Sequence, residues 1–444
     1  MKKTKIEEKK HLSARGLLGD VRKVFSKVKD PESGKGSGNG KISLVDCLMS
    51  GLAIFGLKYP SLLQFDKHKN SKTIKSNIKS LYQIINPPCD TYLRERLDVV
   101  DPRQIRRAFT DVFSEIQRGK ALESYQLVEG YYVLLTDGSG FFSSNEIHCK
   151  NCCQKHHKDG TTTFYHMMMG AAIVHPDHKV VIPICPEPVM NEDGNKKNDC
   201  ERNASKRLLE DFRREHPHLK VILAEDGLAS NAPHLRLCQE LNIRFITVVK
   251  PGGNKKLFEW LKGIELDENE ICNKEGNCIH RIRYYNSIPL NEADPDLEVN
   301  YVEYWEYDST GRQKYHNTWV TDLELKKENV YEIVRGGRAR WKIENETFNT
   351  LKNQGYNFEH NYGHGEKNLS TVFAMLMMLA FLIDQAQQLY CPLFQAAWEK
   401  LGSKKSLWEH VRAAFIMFYV KSWKSLYEGL IYGLVGNDFI PDTS

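Results

Sequence analysis

The chain has 444 residues, 41% hydrophobic and 27% charged, enough to bury a substantial core and to divide into roughly two or three structural units. A net charge of +5 permits a nucleic-acid partner without requiring one. Eleven cysteines, an odd number, fit reduced thiols better than a disulfide framework. MKKTKIEEKK lacks the apolar core of a secretory signal, so the expected compartment is the cytoplasm.

Residues 1–129 read as helical. Leu17, Leu18, Val21, Val24, Phe25 and Val28 recur at helical spacing, and a loop, PESGKGSGNGK, follows from Pro31 to Lys41. SLVDCLMSGLAIFGLK gives a second helix capped by Ser43, and DPRQIRRAFTDVFSEIQRG a third from Asp101. Between them Lys67, Lys69, Lys72, Lys75 and Lys79 form either a solvated surface or a phosphate-contacting patch.

At Tyr131 the pattern changes. YYVLLTDGSGFF reads as a buried strand ending in a loop at Asp137, and strand-like runs follow from Phe164 and Lys179. A polar helix over about 198–215 precedes KVILAEDG, a second buried strand ending in an acid, Asp226. The helix NAPHLRLCQELN and the strand RFITVVK complete an alternation over 130–250 that predicts an α/β layer architecture. Residues 251–322 read as β-rich, 323–390 as helical and 391–444 as a C-terminal helical region. The run VFAMLMMLAFLI, Val372 to Ile383, is shorter than the roughly 20 residues that span a bilayer. With Asp384 directly after it, a buried core helix is expected and no membrane partner.

Two aspartates at the ends of central strands, joined by a third carboxylate from a helix, would form an oxygen-donor cage for two Mg²⁺ or Mn²⁺ ions. Such a pair, about 4 Å apart, suits an in-line phosphoryl displacement. The alternative is that Asp137–Gly138 and Asp226–Gly227 are turn dipeptides. Glu225 is expected to face away from Asp226 if the strand alternates. The third ligand is sought in GGRARWKIENETFNTLKNQGY, where Arg340, Glu344 and Phe348, spaced by four, share a helix face. Trp341, Ile343 and Phe348 suggest that this helix is partly buried, and a buried carboxylate needs strong partners.

At Asp137, Asp226 and RWKIE, Arg340 to Glu344, the chain resembles the DDE insertion-sequence transposases, in the branch with a β-rich insertion and a Tyr–Arg–Glu–Lys signature. The family tyrosine falls here at Gly337, and the family lysine at Leu351, with Lys352 one place later, about 100° further around an α-helix. The resemblance implies a ribonuclease H-like α/β core interrupted by the insertion, in which Asp137, Asp226 and Glu344 are the catalytic, metal-holding acids. It implies that Arg340, Trp341 and Lys352 lie against DNA. Water would free a 3′ hydroxyl at the transposon end, and that hydroxyl would attack target DNA. The partners implied are double-stranded DNA and a second copy of the chain, with nucleoid association. Arg103, Arg106 and Arg107 of the helical N-terminal region are candidate DNA contacts. Trp305 and Trp319 of the insertion belong either to a base-stacking surface or to the core. Two other readings stay open: a catalytically silent protein occupying terminal repeats, and a metal-dependent nuclease without strand transfer.

HCKNCCQKHH adds a candidate structural Zn²⁺ site at Cys149, Cys152, Cys153 and His157, with His156 beside them. The bland alternative is a chance cluster of reduced thiols. Cys272, Cys278 and His280 form a looser set. DCERNASKR, Asp199 to Arg207, is either a solvated helix face or a DNA contact.

Overall fold

Three apolar runs, Tyr132–Leu135, Val221–Ala224 and Phe245–Val248, are buried throughout, as strands covered on both faces must be. The computed structural model, which describes residues 10–31, 42–194, 197–273, 278–433 and 439–441, sets them side by side in one ten-stranded mixed sheet. Its strands are β1 (Tyr132–Ser144), β2 (Cys153–His156), β3 (Thr162–Val174), β4 (Ile182–Val189), β5 (Val221–Glu225), β6 (Arg244–Val248), β7 (Asp267–Asn273), β8 (Cys278–Pro289), β9 (Glu298–Asp308) and β10 (Gln313–Thr321). The order is β2-β3-β1-β5-β6-β10-β9-β8-β7, and β4 also pairs with β3. β5 runs parallel to β1 and to β6, whereas β3 is antiparallel to β1 and to β4. The chain is therefore α/β, as its alternation of elements predicts.

One sequence expectation changes here. Asp137 does not end its strand: β1 continues through Gly138 to Ser144, because β3 supplies an antiparallel partner along that whole length, with Asp137 opposite Gly170. The β-rich stretch joins the same sheet. β10 pairs with β6, so the meander β7–β10 extends the core sheet, and a helix, Lys255–Leu261, precedes it.

The helices are α1 (Ala14–Phe25), α2 (Leu44–Gly56), α3 (Leu62–His68), α4 (Lys72–Tyr82), α5 (Asp90–Asp98), α6 (Arg106–Arg118), α7 (Lys197–Glu215), α8 (Ala232–Glu240), α9 (Lys255–Leu261), α10 (Val330–Arg338), α11 (Asn349–Asn353), α12 (Leu369–Tyr390), α13 (Pro392–Leu401), α14 (Lys404–Met417) and α15 (Trp423–Tyr432). The predicted Pro31–Lys41 loop lies almost wholly outside the described residues.

The apolar run at Val372 is the middle of α12, which at 22 residues is long enough to cross a membrane by length and composition, yet 94% of its apolar window is buried. α1, α2, α5, α6 and α13 pack around it, so helices of the N- and C-terminal regions share the core built on α12. Side chains tie the ends together: Asn77 donates to the carbonyls of Phe415 and Phe418, each at 2.7 Å, and the Trp423 indole donates to Leu81 O at 3.0 Å. At the centre Lys58 Nζ meets Asp384 Oδ2 at 2.6 Å, with Tyr356 donating to the same oxygen. Removing either charge would leave the other buried and unpaired.

Candidate active site and metal centre

β1 and β5 pair only as far as Leu135 opposite Ala224. Beyond that point the two chains separate, and Asp137 and Asp226 stand on either side of the opening, at the carboxyl ends of the parallel pairing. The Asp226 carboxylate also accepts from Leu228 N at 2.9 Å, closing a turn. Glu225 is buried at 7% exposure, accepting from Thr136 Oγ1 at 2.6 Å and facing His234 Nε2 at 2.5 Å. Burial alone would lower the His234 imidazole, but the Glu225 carboxylate overrides this and pushes it up to about 11. Glu225 is thereby committed to His234 and Thr136, beneath the opening.

The third acid arrives by a route that sequence periodicity does not show. Arg340, Glu344 and Phe348 do not share one continuous helix: α10 ends at Arg338, a turn occupies 339–340, and the chain re-enters helix with a π-helical stretch over Ile343–Phe348. Ile343 and Phe348 are buried, whereas Glu344 and Trp341 are exposed, Trp341 at 48%. The argument from a buried carboxylate therefore does not apply to Glu344. What places it is Phe348, whose ring lies over Gly170: a Cβ on that glycine would stand 2.6 Å from Phe348 Cζ. Because Gly170 is opposite Asp137, this contact sets the Glu344 helix beside Asp137.

Arg340 Nη1 lies 3.8 Å from Asp137 Oδ2. The Asp137 carboxyl is held above its ordinary value, first by burial; the Gly138 amide and Arg340 oppose this, and the charges of Asp226 and Glu344 add to it. Asp137 thus feels both other acids. α7 brings Glu201 to the same place: its Oε1 lies 2.9 Å from where a Gly138 Cβ would be, and Arg202 and Ser205 line the same cavity. The charged stretch Asp199 to Arg207 therefore has one face on the site, with Arg207 turned instead to Glu187 and Asp193. A larger cleft, about 550 Å³, continues from Asp226 past Lys250, Asn254, Tyr315 and Arg338 to Trp341.

Other candidates are placed as follows. Lys352 is partly exposed and meets Glu359 at 2.8 Å, while Leu351 is fully buried. A π turn takes in one more residue than an α turn, so the stretch at Ile343–Phe348 shifts by one residue the facing of Leu351 and Lys352, which follow it. Gly337 has no room for a tyrosine: a Cβ there would meet Ile246 at 2.8 Å and Trp319 at 3.0 Å. Trp319 is core at 1% exposure, and Trp305 stacks on His316. Arg103 is exposed, and Arg107 is exposed and paired with Asp111 at 2.7 Å. Arg106 is not on the surface. It is buried at 7% exposure and bonds Glu215 at 2.8 Å and Glu187 at 3.1 Å, because α6 turns this side chain onto α7 and β4. Lys72, Lys75 and Lys79 line the exposed face of α4, with Lys67 exposed nearby and Lys69 paired to Asp66.

The cysteine cluster is assembled differently from the sequence expectation. Among the described residues, Cys149, Cys152, His166 and His364 bring their donor atoms within 4.8 Å of one another, a set that could bind a metal such as zinc. Cys153 points away, toward Val189 O at 3.8 Å, because it begins β2 and its neighbour Cys152 takes the inward direction. His157 bonds Thr163 Oγ1 at 2.8 Å and His156 bonds Thr162 Oγ1 at 3.0 Å, both across the β2–β3 hairpin. His280 bonds the Tyr304 hydroxyl at 2.8 Å; the side chain of Cys272 lies outside the described residues.

Compared with protein-family models and with curated proteins, the sequence matches none. The functional reading therefore rests on the site itself.

Proposed function

We propose that this chain is a DDE-type transposase that cleaves DNA at transposon ends and joins the freed 3′ ends to target DNA. The observation that carries the proposal is the convergence of Asp137, Asp226 and Glu344, from two adjacent parallel-paired strands and a distant helix, with Arg340 against Asp137. The run β4-β3-β1-β5-β6, antiparallel on one side of β1 and parallel on the other, supports a ribonuclease H-like reading of the core.

Asp137, Asp226 and Glu344, with Glu201 beside them, outnumber Arg340 and Arg202 and leave excess negative charge, and an all-oxygen donor set fits hard divalent cations. Asp137, Asp226 and Glu344 would hold two Mg²⁺ or Mn²⁺ ions, which supply Lewis acidity for displacement at a phosphodiester. Arg340 then places and neutralises the phosphate next to Asp137, and Lys352 contacts backbone phosphate without reading sequence. The one-residue shift in facing after the π-helical stretch supports carrying the family lysine over to Lys352. Trp341 and Lys250, along the cleft that leaves Asp226, offer a stacking face and a positive charge to a nucleic-acid strand. Lys67, Lys72, Lys75 and Lys79, with Arg103 and Arg107, supply further exposed charge to a duplex. Joining two ends calls for two copies of the chain on DNA.

The test is Mg²⁺-dependent cutting of DNA that carries the gene's flanking ends, comparing the native chain with Glu344→Gln. Cutting should be lost and DNA binding kept. Equal cutting by both proteins removes Glu344 from the chemistry and the proposal with it; cutting without joining supports the nuclease reading instead.

A further inference from the structure

We propose that Cys149, Cys152, His166 and His364 form a closed tetrahedral Zn²⁺ site that clamps the loop following the Glu344 helix onto the β1–β3 hairpin.

The donor geometry is that of a metal cage. Zn–S bonds of about 2.3 Å and Zn–N bonds of about 2.0–2.1 Å at tetrahedral angles require S···S near 3.8 Å and S···N near 3.5 Å. The distances are 3.9 Å between the two Sγ atoms, 3.4 Å from each sulfur to His166 Nε2, and 3.3 Å from Cys152 Sγ to His364 Nε2. The donors are also poised. His364 Nδ1 bonds Gly365 O at 2.9 Å, which fixes the proton there and leaves the Nε2 lone pair facing the cluster. Cys149 N donates to Cys152 Sγ at 3.4 Å, as a backbone amide does to a thiolate.

Cys152, His166 and His364 are buried at 0%, 3% and 7% exposure, and two thiols with two imidazoles make a soft set suited to zinc. Four protein ligands leave no open position, so the site is structural rather than catalytic. It is also distinct from the oxygen-donor triad.

The location gives the site its role. Cys149 and Cys152 sit in the loop leaving β1, His166 is on β3, and His364 lies in the loop between α11 and α12. Phe141 stacks on His166 and also meets Phe358, which meets Phe348, the ring seated on Gly170 opposite Asp137. The cage thus holds the far end of the segment that presents Glu344, as a set of positioning residues. The metal assignment stands without the catalytic reading; only this positioning role rests on it.

The experiment is metal analysis by inductively coupled plasma mass spectrometry on the full chain, purified without chelator. The native protein and Cys153→Ala should each carry one zinc per chain, and Cys152→Ala none. Zinc well below one per chain in the native protein overturns the proposal, whether its Cys149 and Cys152 alkylate freely or are joined in a disulfide. So does zinc that survives in Cys152→Ala or disappears equally in Cys153→Ala.

Should Cys152→Ala fail to fold, the native chain loaded with Co²⁺ decides. Intense tetrahedral visible bands with sulfur-to-cobalt charge transfer support the cage, and a weak octahedral spectrum, as from carboxylates, overturns it. DNA cutting is scored separately, so a failed transposase reading leaves the zinc result intact. The positioning role predicts that extracting zinc with a thiol-reactive mercurial, then removing the mercurial with excess thiol, lowers Mg²⁺-dependent cutting and that re-adding zinc restores it. Unchanged cutting by the zinc-free chain refutes that role alone.

Discussion

Gly170→Ala tests how the Glu344 helix is seated. A β-strand glycine with an ordinary backbone should gain about 0.4–1 kcal/mol on becoming alanine, because the unfolded chain loses freedom. Here the sign should reverse. The new methyl would lie 2.6 Å from Phe348 Cζ and 3.1 Å from Cε1, where ordinary contact begins at 3.4 Å. The ring must retreat by about 1 Å, and overpacking of this kind typically costs about 1–3 kcal/mol, so Tm should fall by roughly 2–6 °C. Phe348 is four residues from Glu344, and a misplacement of about 1 Å at a reacting centre can cost on the order of 10²-fold in rate.

Thermal unfolding and Mg²⁺-dependent cutting of end-bearing DNA should therefore both report a loss. Phe348→Leu removes the atoms in the way, so the double variant should be more stable than the sum of the single effects, with a coupling of about 0.5–3 kcal/mol. A Gly170→Ala protein that is as stable as the native chain or more so, or strictly additive effects in the double variant, would refute the contact as the seat of the helix. Lost stability with native cutting would refute its role in placing Glu344.

Asp137 is held above its ordinary value, so its charged form weakens the metal-free fold at neutral pH. Asp137→Asn should then raise Tm without divalent ions at pH 7–8, and the gain should vanish in acid, where the native carboxyl is itself protonated; differential scanning fluorimetry across pH reads both. For His234 and Glu225 the signs differ. The imidazole, raised to about 11, contributes stability fully below its unfolded value near 6.5 and loses it as pH rises toward 11. Glu225, held below its ordinary value because His234 and Thr136 outweigh burial, contributes above about 4.5 and loses this as pH falls through its depressed value. His234→Gln should flatten the decline in urea midpoint between pH 7 and 10, and a native-like decline in the variant would assign that limb to another group. Lys352→Ala should weaken DNA binding and lower the salt slope, d log K/d log[salt], by about 1 with Tm unchanged, whereas an unaltered slope would take Lys352 off the phosphate backbone.

The strands β1, β5 and β6 were legible because buried parallel strands read as unbroken apolar runs. Where β1 ends was not, since Asp137–Gly138 carries the same local signal in a turn as in a strand whose partner supplies Gly170. Arg106 looked like a free cation because its partners, Glu187 and Glu215, come from β4 and α7 far along the chain. Two of the four metal donors, Cys149 and Cys152, were legible, and His166 and His364 were missed for the same reason. Cys149 and Cys152 are three residues apart in one loop, but Cys153, which begins β2, turns the other way, and His364 arrives from beyond α11. The available signal was His166, a single imidazole beside the triplet Met167–Met169 of a buried strand, and a second histidine between glycines in NYGHG. The π-helical stretch Ile343–Phe348 was not legible, because no residue in it carries a local signal for the wider turn.

Close packing also accounts for the two glycines at the end of α10. Gly336 lies against Leu127 and Val133, and Gly337 against Ile246 and Trp319, so the last turns of α10 press directly on β1, β6 and β10. A bare backbone permits an approach that any side chain would block. Arg338, the next residue, completes the seating from the other side: its guanidinium lies 4.6 Å from the Tyr315 ring and 2.7 Å from the Tyr304 hydroxyl, and it pairs with Glu306. These three partners come from β9 and β10. The extended sheet therefore acts as a brace that fixes the end of α10, and with it the turn from which Arg340 reaches Asp137. On the transposase reading, substitutions at Tyr304 or Glu306 should therefore act on Arg340 through α10 rather than by touching DNA.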